Sequence, residues 1–265
     1  MDDLNCDLHK LLAKIQAKAR AFEPQMQAQQ RYECPLCKDK EFVMQVDADG
    51  NIVAVPCKCR AKKAIRRMLR RTGMSYSNYA AMSLEKFPAD TPETMKMKAL
   101  AVDFIEHHKT GEGIIYTGTP GTMKTTICIA ICLELAHRYN EPHTYFSYRT
   151  EIQRLKGLMY NQPDTYSAAI RKFADAENLY IDDLFKAATD DKNGVQRQDV
   201  QIMFEIVNAR YLNKKTTLFS TEMPVREIIA NVDEALGSRI YEMCRRYGMT
   251  CTGANRRLSK SYGYV

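Results

Sequence analysis

The chain has 265 residues, enough for one full-sized domain plus a small appendage. Apolar residues make up 45% and charged residues 27%, so a core can form, and no apolar run reaches the roughly 18 residues that a membrane helix needs. The net charge of +7, from 39 basic and 32 acidic residues, permits contact with nucleic acid without requiring it.

The opening MDDLNCDLHK is acidic and polar, so no secretory signal is expected there and the expected compartment is the cytoplasm. Leu4, Leu8, Leu11, Leu12 and Ile15 recur at helical spacing behind Asp2 and Asp3, which predicts a helical arm over 1–32. Its apolar stripe can pack on the protein's own body or dock on a partner helix; both uses need the same face.

A second segment, 33–73, holds EFVMQV and IVAVPC, which read as two strands joined through Asp47, Asp49, Gly50 and Asn51. Four of the nine cysteines flank this hairpin. Cys34 and Cys37 form a C-x-x-C knuckle, and Cys57 and Cys59 a C-x-C pair, with nineteen residues between the halves. Four thiolates can close a tetrahedral structural Zn²⁺ site, leaving no open position for chemistry. A redox pair would need a thioredoxin-like context that is absent. Cys6, Cys128, Cys132, Cys244 and Cys251 read as ordinary small core residues. From Lys58 to Arg71 there are eight Lys or Arg residues and no acid, on a helix predicted over 60–71 and ended by Gly73. Ala61, Ala64, Ile65, Met68 and Leu69 make this helix amphipathic, which suits a solvated charged face; contact with DNA phosphates is the alternative.

From residue 74 to 265 strands alternate with helices, predicting an α/β domain with a parallel sheet flanked by helices. IIYTG (114–118), HTYFSY (143–148), NLYID (178–182) and TTLFST (216–221) are strands, with a last short one at 249–252. Helices are expected over 124–139, after residue 148 to near Tyr160, over 197–212, and in two segments after 221.

The first strand runs into Gly118-Thr119-Pro120-Gly121-Thr122-Met123-Lys124-Thr125-Thr126. This matches the phosphate loop G-x-x-x-x-G-K-[ST], except that Met123 stands where glycine precedes the lysine. Glycines let backbone N–H groups face phosphate, the helix N-terminus adds positive potential, Lys124 reaches the β and γ phosphates, and Thr125 holds Mg²⁺. Met123 places a Cβ where backbone approaches phosphate, and strains the local dihedral. Asp182 and Asp183 end an apolar strand that begins 54 residues after Lys124. At the carboxyl end of a parallel strand, Asp182 would position Mg²⁺ and Asp183 would activate the attacking water. Thr221, at the end of TTLFST, is the candidate γ-phosphate sensor in place of the more usual Asn. Arg239, in Gly237-Ser238-Arg239, is either a finger reaching a neighbouring subunit's nucleotide or a surface arginine. Arg256 and Arg257 either fold back on the phosphates or form a basic tail.

With the cysteine cluster, GTPGTMKT, LYIDDLF, TTLFSTEMP, ALGSRI and GANRRL together, the chain resembles the DnaC/DnaI-type bacterial and phage helicase loaders over nearly its whole length. The resemblance implies an AAA+ P-loop ATPase core that binds ATP and Mg²⁺ and assembles side by side when ATP-bound. It also implies an N-terminal part that engages a hexameric replicative helicase, which the loader places on single-stranded DNA. By the same resemblance Asp183 is the second Walker B acid, Arg239 the finger in trans, and Arg256 or Arg257 the C-terminal sensor. Met123 and the missing sensor Asn depart from the pattern and bear on hydrolysis rate. Competing readings are a transposition helper ATPase of the IstB type, which does not usually carry this cysteine module, and a non-hydrolysing nucleotide-binding adaptor. A DnaA-type initiator would need a helix-turn-helix domain, for which the eight residues after Arg257 leave no room.

Overall fold

A computed structural model describes residues 32–72, 75–186 and 195–259. The expected arm, the helix stop at Gly73 and Cys6 lie outside the described residues. The chain divides into two compact units, one through Cys57 and one from Lys58. No helix among the described residues is long and apolar enough to cross a membrane.

The first unit is an antiparallel hairpin of β1 (Phe42–Val46) and β2 (Ile52–Pro56), with Val46 opposite Ile52 and Phe42 opposite Pro56. The turn is shaped by Asp47, whose Oδ1 accepts from the N–H groups of Asp49 (3.0 Å) and Asn51 (2.8 Å). Alternation puts Phe42, Met44, Val46, Ile52, Ala54 and Pro56 on one face, and all six are exposed.

The second unit opens with α1 (Cys59–Thr72), whose Ala61 and Ile65 are buried in the core below. Two helices that periodicity did not place follow: α2 (Tyr76–Ala81) and α3 (Pro92–Glu106). A capping box between Thr91 and Thr94 starts α3, with Pro92 in its first turn. Then β3 (Ile114–Gly118), α4 (Lys124–Arg138), β4 (His143–Ser147), α5 (Tyr148–Asn161), α6 (Pro163–Ala174) and β5 (Asn178–Leu184) alternate. After them come α7 (Arg197–Leu212), β6 (Thr216–Thr221), an irregular helical turn over 225–232, α8 (Glu234–Met243), β7 (Gly248–Cys251) and a short α9 (Arg256–Ser259). Tyr148, read from the sequence as the strand's last residue, instead begins α5, and β5 runs two residues past Asp182.

The five strands are all parallel in the order β4-β5-β6-β3-β7. Successive side chains face opposite sides, so the sheet carries two cores. Ile114, Tyr116, Tyr180 and Leu218 pack with α1, α3 and α4; Ile115, Leu179, Ile181 and Phe219 pack with α5 to α8. This is a helix–sheet–helix sandwich.

One buried cation holds the second core together. Arg210 of α7 is fully buried and donates to Thr217 Oγ1 (2.9 Å) and to the carbonyls of Phe173 (2.9 Å), Ala174 (3.1 Å) and Ala176 (2.7 Å), with Thr216 O as a further acceptor. It thus caps the end of α6 and ties it to β6. Burial lowers its pKa to about 9, which still leaves it charged at neutral pH. Arg210→Leu strands these carbonyls in the interior, and we expect a loss of about 3–5 kcal/mol, read as a lowered urea midpoint of the full chain.

His143, at the start of β4, is buried and shares a 2.6 Å hydrogen bond with Tyr79 OH of α2. Desolvation pushes its imidazole down to about 4. The unfolded chain, with an ordinary histidine pKa near ~6.5, takes up a proton that the folded chain refuses. This contribution is therefore complete above pH ~6.5 and is lost as pH falls towards the folded value. We expect His143 to account for about 2 kcal/mol of stability lost between pH 7 and 5, a slope absent in His143→Gln.

Candidate functional site

The loop between β3 and α4 is shaped by backbone that glycine favours. Gly118 has φ +110 and Gly121 φ +79. A Cβ on Gly118 would stand 2.0 Å from Cys251 O, and one on Gly121 would stand 1.9 Å from Asn255 Oδ1. Met123, the residue before α4, adopts φ 68 and ψ 19, the left-handed region. That costs a residue with a Cβ about 1 kcal/mol or more. The side chain offsets part of this by packing, partly buried, against the core under α4. The dihedral strain expected at Met123 is thus present. Met123→Gly removes it, and we expect the full chain to gain up to about 1 kcal/mol of stability, read as a raised urea midpoint.

Lys124 begins α4 and is buried, its Nζ donating to the carbonyls of Gly118 (2.8 Å) and Thr119 (2.7 Å). Burial lowers its pKa, against the opposing pull of Cys251, Glu222 and Asp183. Thr122 steadies the loop through a 2.8 Å bond to Thr119 O. Thr125, which follows Lys124, donates to Asp182 Oδ1 at 3.0 Å, so the loop and the end of β5 meet directly.

Asp182 sits in a cage of hydroxyls. Tyr145 OH donates to Oδ2 (2.6 Å), while Tyr180 OH (2.5 Å), Ser220 Oγ (2.6 Å) and Thr125 bond to Oδ1. The neighbouring carboxylate raises the pKa of both tyrosines beyond what burial does, so they stay protonated donors. Asp183 follows with φ 55, its N–H on Ser220 Oγ (3.2 Å) and its carboxylate in the cleft. That cleft, of about 660 Å³, has the size of a small-molecule site. Pro120, Gly121, Met123, Lys124, Thr125, Thr126, Asp183, Arg256 and Arg257 line it together with Lys86, Asp90, Lys186 and Glu222. The Thr125 hydroxyl and the Asp183 carboxylate that line it are hard oxygen groups of the kind Mg²⁺ takes.

Thr221, Arg239 and Arg256 are each engaged by other groups of the chain. The Thr221 hydroxyl donates to Leu184 O (2.7 Å) and accepts from the Met223 N–H (3.1 Å), away from the cleft; Ser220 and Glu222 are the residues of the β6 end that face the acids. Arg239, on α8, is held by Asn208 Oδ1 (2.7 Å) and Ala235 O (2.7 Å) and stacks over Phe204, outside its own chain's cleft. Arg256 reaches the cleft but grips Asp90 with its two terminal guanidinium nitrogens, holding that carboxyl down at about 2, and its backbone N–H bonds Gly121 O (3.1 Å). Arg257 also lines the cleft. Sequence reading missed Tyr145, Tyr180, Ser220, Lys186 and Glu222. Tyr180 was the accessible one, two residues before Asp182 and hence on the same face of β5.

In the first unit and just after it, the sulfurs of Cys34, Cys37, Cys57 and Cys59 all lie within 4.8 Å of one another, and Cys34 Sγ is 3.7 Å from Cys57 Sγ. A Zn²⁺ tetrahedron with Zn–S bonds of ~2.3 Å has S···S edges of about 3.8 Å. Asp39 braces the knuckle, accepting from the N–H groups of Cys34 (2.9 Å) and Glu33 (3.1 Å). The four cysteines fit a structural zinc ion.

No protein-family model matches the chain. It is 29% identical over 261 residues to the phage-like element PBSX protein XkdC of Bacillus subtilis strain 168, covering 96% of this chain and 92% of that one. Among solved structures, the DnaC helicase loader matches with a TM-score of 0.56 at 22% identity, over 66% of this chain and 99% of that one. The replication initiator DnaA bound to AMPPCP and single-stranded DNA matches with a TM-score of 0.52 at 17% identity, over 69% of this chain and 56% of that one. The chain therefore shares the fold of these proteins, an α/β domain with a parallel sheet flanked by helices, with a four-cysteine cluster ahead of it.

Proposed function

We propose that the protein is an ATP-dependent helicase loader: it binds ATP with Mg²⁺, hydrolyses it, engages a hexameric replicative helicase and helps place it on single-stranded DNA. The observation that carries this reading is the convergence of Lys124, Thr125 and Asp183, from two separate strand ends, on one cleft, with Asp182 hydrogen-bonded to Thr125.

In this reading Lys124 exchanges the two loop carbonyls for the β and γ phosphates, and the loop N–H groups and the N-terminus of α4 supply further positive potential. Thr125 and Asp182 would hold Mg²⁺, whose charge would offset that of the phosphates. Asp183 accepts the proton of the attacking water. Arg239, outside its own cleft, serves a neighbouring subunit as a finger in a side-by-side assembly. Arg256 trades Asp90 for phosphate, or Arg257 does so beside it.

The likeness to the DnaC helicase loader supports the helicase as partner, and the exposed apolar face of the hairpin is a fitting surface for it. Retention of purified replicative helicase on the immobilised full chain, with and without ATP, tests this; ATP-dependent retention is expected. Failure to retain it in either condition, with a transposase bound instead, would favour the IstB-type helper. The strain at Met123 favours one other reading, an adaptor that binds nucleotide without turnover.

A further inference from the structure

We propose that Lys186 is a second phosphate-binding cation of the cleft, contacting the terminal phosphate of a bound triphosphate and supplying the sensing group that β6 does not. The inference rests on the nucleotide reading above.

The end of β6 lacks a donor for phosphate. Thr221 spends its hydroxyl on Leu184 O, Ser220 spends its own on Asp182, and Glu222 is an anion. Lys186 stands where a donor is missing. Its Nζ is 2.6 Å from Glu222 Oε1 and 3.5 Å from Asp183 Oδ2, and it lines the same cleft as Lys124 and Thr125. Lys124 arrives from the loop after β3 and Lys186 from the end of β5, so the two ammonium groups enter the cleft from different elements.

The backbone that delivers Lys186 is unusual. Asp183 (φ 55) and Phe185 (φ 59) are both left-handed, and the Lys186 N–H closes a turn onto Asp183 O at 3.0 Å. Such residues cost of order 1 kcal/mol each and persist where the surroundings enforce them.

Energetics allow the cation to move. Its side chain is 24% exposed, and partly exposed ion pairs are worth about 0–1 kcal/mol. A triphosphate is a stronger anion than either carboxylate, and a lysine stem is long and flexible. Moving Nζ to phosphate also releases Asp183 from its ion pair at the moment it is needed as a base. Arrival of the γ phosphate and readiness of the acid are thereby coupled.

The test compares ATP and ADP affinity, both with Mg²⁺, in the parent chain, Lys186→Ala and Lys186→Arg. Lys186→Ala is expected to weaken ATP about tenfold or more, as loss of a charged hydrogen bond does, while ADP affinity stays within about twofold and kcat falls. Lys186→Arg, which keeps the charge, is expected to retain most of the preference for ATP. Equal weakening of ATP and ADP in Lys186→Ala, or no change in either, would overturn the proposal and leave the nucleotide reading standing. A parent chain that binds neither nucleotide would overturn both.

Discussion

Asp183→Asn is expected to bind ATP as the parent chain does and to hydrolyse it about 10²–10⁴-fold more slowly, the usual contribution of a general base. Asp183 is the acid of the pair that faces the cleft, since its neighbour's two oxygens are taken by four hydroxyls. The substitution keeps shape, and the Asp183 N–H bond to Ser220 is untouched. Single-turnover hydrolysis together with equilibrium binding separates the two effects. Unchanged turnover would return the role to another group; lost binding would mean that the carboxylate does structural work.

Replacing Cys37 or Cys57 with serine is expected to remove one zinc per chain and unfold residues 32–57, while the ATP site keeps its affinity. Among the described residues of this unit, only Cys34, Cys37 and Cys57 are buried. Two strands with one face exposed and the other only half-buried cannot fold on apolar burial alone. A structural Zn²⁺ contributes on the order of 10 kcal/mol in such small sites, which supplies the missing stability. Zinc content by mass spectrometry and limited proteolysis of the full chain read the outcome. A parent chain without zinc whose hairpin still resists protease would refute the assignment.

Much of this molecule could be read from its residues, because its key signals are local. The phosphate loop lies within nine consecutive residues, the C-x-x-C and C-x-C pairs announce their thiols, and apolar strands bounded by turn residues mark the sheet. What stayed hidden depends on register. Tyr145 meets Asp182 only because β4 lies beside β5, with Tyr145 level with Tyr180. Ser220 meets it because β6 lies on the other side, past an irregularity between Ile181 and Leu184. The pairing of Arg256 with Asp90 spans 166 residues, beyond the reach of any periodicity. Thr221 lies level with Leu184, past the same irregularity, and its hydroxyl donates to the Leu184 carbonyl, a partner that no periodicity shows. The cap of α3 was legible in Thr91, Pro92 and Thr94, but the weakly amphipathic pattern behind it hid the helix.

The central claim is that the loop from Gly118 to Thr125 grips a nucleotide's phosphates. Calorimetric titration of the intact chain with ATP and Mg²⁺, run beside Lys124→Ala, tests it most directly. Saturable binding near one nucleotide per chain, abolished in the variant, is the result expected. Absence of binding by the parent chain, or equal affinity without the lysine, would contradict it.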